Sequence, residues 1–221
     1  MRESTFSVES VSKEFNRRVI FEDISFSLSR GESLAVTGRN GSGKSTLAKI
    51  LCGLLTPTKG KISLFVNEKE IPAADIHRHI GLVSPYITMY DEFSGMENLL
   101  VFAHIRNLGS AADGDPERLL RQFGIYERRN DEVRTYSSGM KQRLKYAAAM
   151  LHRPEILILD EPTANLDEEG AATVRDLMRT QTRVGILIIA TNDAKDLKFA
   201  EHNIDLNKSN GVVSKSGGVL P

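Results

Sequence analysis

The chain has 221 residues, 40% of them hydrophobic and 26% charged, an ordinary composition for a globular protein with a full core. Its 29 basic and 29 acidic side chains cancel, so no global field draws it to nucleic acid or to anionic lipid. Cys52 is the single cysteine, which excludes an intrachain disulfide and fits a reducing compartment. The N-terminal "MRESTFSVES" lacks the apolar stretch of a signal peptide, and no apolar run approaches the roughly 18–20 residues that span a bilayer.

In chain order, "STFSVESV" and "DISFSLSRG" come first. In the latter, Ile24, Phe26 and Leu28 alternate with Ser25 and Ser27, the pattern of a half-buried strand. With "GKISLFV" (60–66) they predict an antiparallel sheet. Between them lies "SLAVTG" (33–38), a continuous apolar run of the kind found in buried parallel strands. A helix is expected next, with Leu47, Ile50, Leu51, Leu54 and Leu55 on its inner face, ended by "TPTKG" (56–60). From about residue 86 to 150 the periodicity is helical, in "GMENLLVFAHIRNLG", "DPERLLRQFGI" and "GMKQRLKYAAAML", where Met140, Leu144, Ala147 and Leu151 share a face. "EILILDE" (155–161) and "GILIIAT" (185–191) are two more buried strands, and "NIDLNKSNGVVSKS" reads as a hairpin turning at Asn210 and Gly211. The pattern predicts an α/β protein with a parallel sheet, an N-terminal antiparallel β part and an inserted helical subdomain. It is read as a single domain over 1–221, with a core of 1–85 and 151–221 and the helical subdomain at 86–150.

The strongest motif is "GRNGSGKST" (38–46), which satisfies G-x-x-x-x-G-K-[ST], a phosphate-binding loop between a strand and a helix. Gly38, Gly41 and Gly43 allow successive N–H groups to point at phosphate, and the helix adds the positive end of its dipole. Lys44 is expected to reach the β- and γ-phosphates, and the Ser45 hydroxyl to ligate Mg²⁺. The ATP-binding set is completed by Asn40, Ser42 and Thr46. In "ILILDEP", Asp160 ends a strand where it can hold the metal or its water, and Glu161 follows as the base for an attacking water. In "TYSSGMKQRL" (135–144), Ser137, Ser138 and Gly139 open a helix whose N–H groups suit an anion; simple helix capping is the plain alternative.

Phe15, "GRNGSGKST", "YSSGM", "ILILDEP" and "ANLD" (164–167), in this order, resemble the ATP-binding subunit of an ABC transporter over about residues 5–215. The resemblance implies the P-loop NTPase core of an ABC ATPase. It also implies a Mg-dependent ATPase that works as a homodimer or heterodimer on transmembrane permease subunits, at the cytoplasmic face of a membrane. It assigns Phe15 to adenine stacking, Ser137–Ser138–Gly139 to the signature motif that contacts ATP held by the partner subunit, and Asp167 to the loop at the dimer interface. "YSSGMKQRL" is similar to export-type subunits.

Two positions depart from the family. Pro85 stands where a glutamine usually contacts Mg²⁺ and water, and it offers neither a side-chain amide nor a backbone N–H. Asn192 stands where a histidine usually bonds the γ-phosphate. Its amide either keeps a weakened phosphate contact and so counts with Glu161 and Lys44 among the catalytic residues, or it is a turn residue after a strand. The expectation is an ATPase slow in isolation. The alternatives are a nucleotide-binding module with a weakened site, and an ABC ATPase that acts outside transport. Balanced charge argues against a nucleic-acid target for the last of these.

Overall fold

The computed structural model describes residues 3–108 and 115–208, and the backbone of 214–215. The strands are β1 (Ser4–Phe15), β2 (Arg18–Ser29), β3 (Ser33–Thr37), β4 (Lys59–Val66), β5 (Lys69–Ile71), β6 (Ile80–Val83), β7 (Ile156–Asp160), β8 (Ile186–Ala190), β9 (His202–Asp205) and β10 (Ser214–Lys215). The α-helices are α1 (Lys44–Leu51), α2 (Gly95–Ile105), α3 (Pro116–Gln122), α4 (Ser138–Met150), α5 (Glu168–Val184) and α6 (Ala194–Leu197). One sheet is antiparallel, in the order β2-β1-β4-β5; the other runs β10-β9-β3-β8-β7-β6 and is parallel from β9 to β6.

β7 and β8 carry unbroken apolar runs because both of their faces are covered. Along β7, Ile156 and Ile158 join the core shared with the antiparallel sheet and α1, and Leu157 and Leu159 join a second core built with the helices. β8 divides in the same way, with Ile186 and Ile188 on the first side and Leu187 and Ile189 on the second. Each such side chain contributes about 1.5–3 kcal/mol by leaving water, so the centre of the sheet is pinned from both sides. β1 and β2 alternate instead, with Phe6, Val8, Ile24 and Phe26 inward and serines between them outward.

Among the described residues, the segment between β6 and β7 contains α2, α3 and α4 and, of β structure, an isolated bridge from Ser94 to Glu132. Each helix has a start signal in its sequence. Ser94 and Glu97 form a reciprocal capping box on α2, Asp115 caps α3 ahead of Pro116, and Ser137 caps α4. The inner face of α4 is the one expected, with Leu144, Ala147 and Leu151 fully buried.

The first helix ends earlier than its leucine spacing predicts. α1 stops at Leu51, Gly53 takes φ 74°, and Leu54 is 66% exposed, while Leu55 still packs on the core. A residue with positive φ ends a helix in the way that breakers further on were expected to. At the C-terminus β9 and β10 pair antiparallel; the turn expected at Asn210 and Gly211 lies outside the described residues.

Candidate functional site

The loop from β3 to α1 holds Gly38, Gly41 and Gly43 at φ 147°, 81° and 103°, a region that side chains with a Cβ avoid. At Gly43 space is also lacking, since a Cβ would lie 2.5 Å from Ile20 Cγ2. Gly43 caps α1 without a side chain, and the first turn of α1 carries no acid. The helix therefore presents bare N–H groups and an unopposed positive end, suited to an anion.

Lys44 is nearly buried. Its ammonium donates to the Gly38 carbonyl at 2.8 Å and stands 4.0 Å from Glu161 Oε1. Together they bound a cleft of about 360 Å³ lined also by Asn40, Ser45, Thr46, Pro85 and Asp160. Asp160 is 1% exposed; its Oδ2 accepts from the Ser84 hydroxyl at 3.1 Å and its Oδ1 has no hydrogen-bond partner. An orphaned, buried carboxylate oxygen beside the Ser45 hydroxyl fits a hard divalent cation. Among the described residues no three His, Cys, Asp or Glu side chains cluster as a metal site, so such a cation would take its other ligands from phosphate and water.

Glu161 has φ 52°, and its N–H is anchored on the Ala190 carbonyl at 2.8 Å. That left-handed turn costs strain in a residue with a Cβ and swings the carboxylate off the strand axis into the cleft. Burial raises its pKa above the usual 4.5; Lys44 opposes the rise, and the charges of Asp160, Asp196 and Asp193 add to it. A carboxylate made more basic than usual, facing a cation and a phosphate cradle, is suited to accept a proton from water.

Residues 21–164 match the ABC transporter family. The chain belongs to that family. It is 34% identical over 188 residues to the linearmycin resistance ATP-binding protein LnrL of Bacillus subtilis (strain 168), covering 83% of this chain and 60% of that protein. It is 33% identical to the Nod factor export ATP-binding protein I of Bradyrhizobium diazoefficiens, over 86% of this chain and 63% of that protein. The chain thus spans about three fifths of the length of these curated relatives. A solved ATP-binding subunit of an ABC transporter superposes on 95% of this chain and 89% of its own with TM-score 0.81 at 28% identity. No helix among the described residues is long and apolar enough to cross a membrane.

Several of the residues expected from the ABC resemblance stand apart from the cleft. Phe15 ends β1, 44% exposed, with the Lys13 ammonium 4.7 Å from its ring centre; it is Ile20 that lines the cleft. Ser137 caps α4 by accepting from the Met140 N–H at 3.2 Å, and Ser138 is exposed beside it. Neither they nor Gly139 line the cleft of their own chain. Asp167 caps α5 through the Gly170 N–H at 2.9 Å and pairs with Arg143 of α4 at 2.6 Å. Those two bonds hold its carboxyl below the usual range.

Asn192 follows β8 and turns its side chain onto the phosphate loop. Its Oδ1 accepts the Gly38 N–H at 3.2 Å and its Nδ2 donates to the Gly38 carbonyl at 2.8 Å.

Ser84 and Tyr86 stand at the candidate site, and Asp196 acts on Glu161 through its charge, although the sequence reading did not single them out. Ser84 follows β6, whose register sets Val83 beside Leu159, so the next pair is Ser84 and Asp160; that pairing follows from the register, and no local signal in the sequence gives it. Tyr86 lines the cleft with its ring beneath the Lys49 ammonium at 4.1 Å, and nothing local in "SPYIT" marks it. Cys52 is buried in the core, which pushes its thiol pKa up to about 12.

Proposed function

We propose that this chain binds Mg-ATP in the cleft between the loop 38–46 and the end of β7, and hydrolyses it to drive a membrane transporter. The observation that carries the proposal is the Lys44–Glu161 pair at 4.0 Å across a glycine-built cradle, with the unpaired Asp160 Oδ1 beside it. In this reading the N–H groups of residues 41–46 and the Lys44 ammonium hold the phosphates, and Ser45 and Asp160 hold the cation. Bound Mg²⁺ supplies charge neutralisation at the phosphate oxygens. Glu161 orients a water and accepts its proton as the new bond to the γ-phosphorus forms; the bond to the β-phosphate oxygen breaks and ADP leaves.

The exposed Ser137 and Ser138 and the half-buried Gly139 do not line the cleft of their own chain, which supports the reading that they close over ATP held by a second cassette, with Asp167 at that interface. Phe15, exposed on β1, is assigned to stack on adenine with its open face. The transmembrane partner is proposed from family membership, and export from relatives whose names carry resistance and export.

A second reading is favoured by Pro85, which lines the cleft without an amide to give. The cassette would bind ATP normally and turn it over slowly until a membrane partner completes the site. Steady-state ATP hydrolysis and ATP binding by the purified chain, with and without Mg²⁺ and beside Glu161→Gln, test both. Turnover that Glu161→Gln abolishes is expected; a wild type that binds no nucleotide would sink both readings. Wild-type turnover no faster than that of Glu161→Gln would favour the second.

A further inference from the structure

The Gly38 carbonyl accepts from two side chains at once: the Lys44 ammonium at 2.8 Å and the Asn192 amide at 2.8 Å. Asn192 also takes the Gly38 N–H at 3.2 Å, so its amide is paired on both edges with one peptide residue of the loop, 154 positions away. A carboxamide sets an N–H donor and a carbonyl acceptor side by side in one plane, so it can fill both places at once.

From this geometry we infer that Asn192 is a positioning residue: it fixes the Gly38 backbone, which in turn sets where the Lys44 ammonium stands for an arriving phosphate. The inference rests on the reading that the cleft binds ATP. Lys44 has three N–H donors, so it can keep the Gly38 carbonyl and still donate to phosphate. Its reach therefore depends on where the Gly38 peptide is held. With Asn192 in place that peptide is tied on both its N–H and its carbonyl, and the loop keeps its curvature. Without it the Gly38 N–H loses its side-chain acceptor, the ammonium loses a fixed anchor, and every ligand that needs Lys44 binds more weakly. The effect acts on the phosphates that contact Lys44 generally and does not require a γ-phosphate.

The test is to measure dissociation constants for Mg-ADP and Mg-ATP, and kcat, with wild type, Asn192→Ala and Asn192→Asp. Asn192→Asp keeps the side-chain shape and the acceptor for Gly38 N–H, but at neutral pH has no donor for the carbonyl. The expected result is a loss of affinity of about tenfold, the scale of one hydrogen bond whose partner is left unpaired. It should be equal for ADP and ATP in Asn192→Ala and larger than any fall in kcat, with the melting temperature little changed; the carboxylate of Asn192→Asp also repels phosphate, so its loss should be the greater. A loss confined to ATP, or to kcat, would show that Asn192 reads the γ-phosphate and would overturn the inference. Unchanged affinities would make it a turn residue and overturn it as well. If wild type binds neither nucleotide, the inference falls together with the functional reading, a result distinct from the other two.

Discussion

β7 and β8 run side by side in register, Asp160 against Ala190, yet they end in opposite ways. β7 delivers two carboxylates, one buried with an orphaned oxygen and the other thrown sideways by a left-handed turn. β8 delivers neutral groups: Thr191, whose N–H bonds Val36, and Asn192, whose amide is spent on Gly38. Both strands are buried throughout and apolar over their first four residues, so burial does not separate them. What does is the last residue of the strand and the turn after it. Where the chain turns at once, charge is aimed into the cleft; where it continues along its neighbour, the polar end fastens the loop after β3. In the proposed function one strand end reacts and the other holds.

The harshest way to break this comparison is to make the β7 end neutral too. Glu161→Gln removes the proton acceptor while leaving its shape, and ATP hydrolysis should fall by about 100-fold or more with ATP binding retained. Loss of binding along with turnover would mean that Glu161 holds the loop as well. Ser84→Ala strips Asp160 of its hydrogen bond and leaves both carboxylate oxygens of a buried acid unpaired. It should cost about 1–3 kcal/mol of folding free energy, measurable by denaturant unfolding, whereas alanine at exposed Ser138 should cost little.

The mildest test uses pH. In the proposed function Glu161 must be ionised to act, and its pKa is raised chiefly by burial and then by the charges of Asp160, Asp196 and Asp193. Activity should therefore decline on acidification at a higher pH than an ordinary glutamate would dictate. Asp193→Asn removes one of those charges, so the acid limb of the pH–rate profile should move to lower pH. An unmoved limb would mean that another group sets it.

How much of this was legible depended on distance along the chain. The phosphate loop and both acids could be read because each sits on a short strand–turn–helix unit whose signals are local. The glycines with positive φ and the unbroken runs of β3, β7 and β8 say where the chain bends and what it buries. The end of α1 was misplaced because Leu54 keeps the apolar spacing while Gly53 lets the backbone leave the helix. Ser84 on Asp160 and Asn192 on Gly38 were not legible as contacts, being 76 and 154 residues apart in sequence. They exist only because parallel register lines up the ends of strands that are distant in the chain. Family resemblance marked Pro85 and Asn192 as unusual, but only geometry showed what Asn192 grips.

Asp167 Oδ1 receives both the Gly170 N–H and the Arg143 guanidinium. One oxygen atom is thus the hinge pin between α5, which leans on β8, and α4, which opens with Ser137, Ser138 and Gly139. Five residues, Pro162 to Leu166, separate that oxygen from Glu161 in the sequence. The atom that ties the two helices together and the carboxylate of the proposed chemistry thus sit on one short stretch of chain.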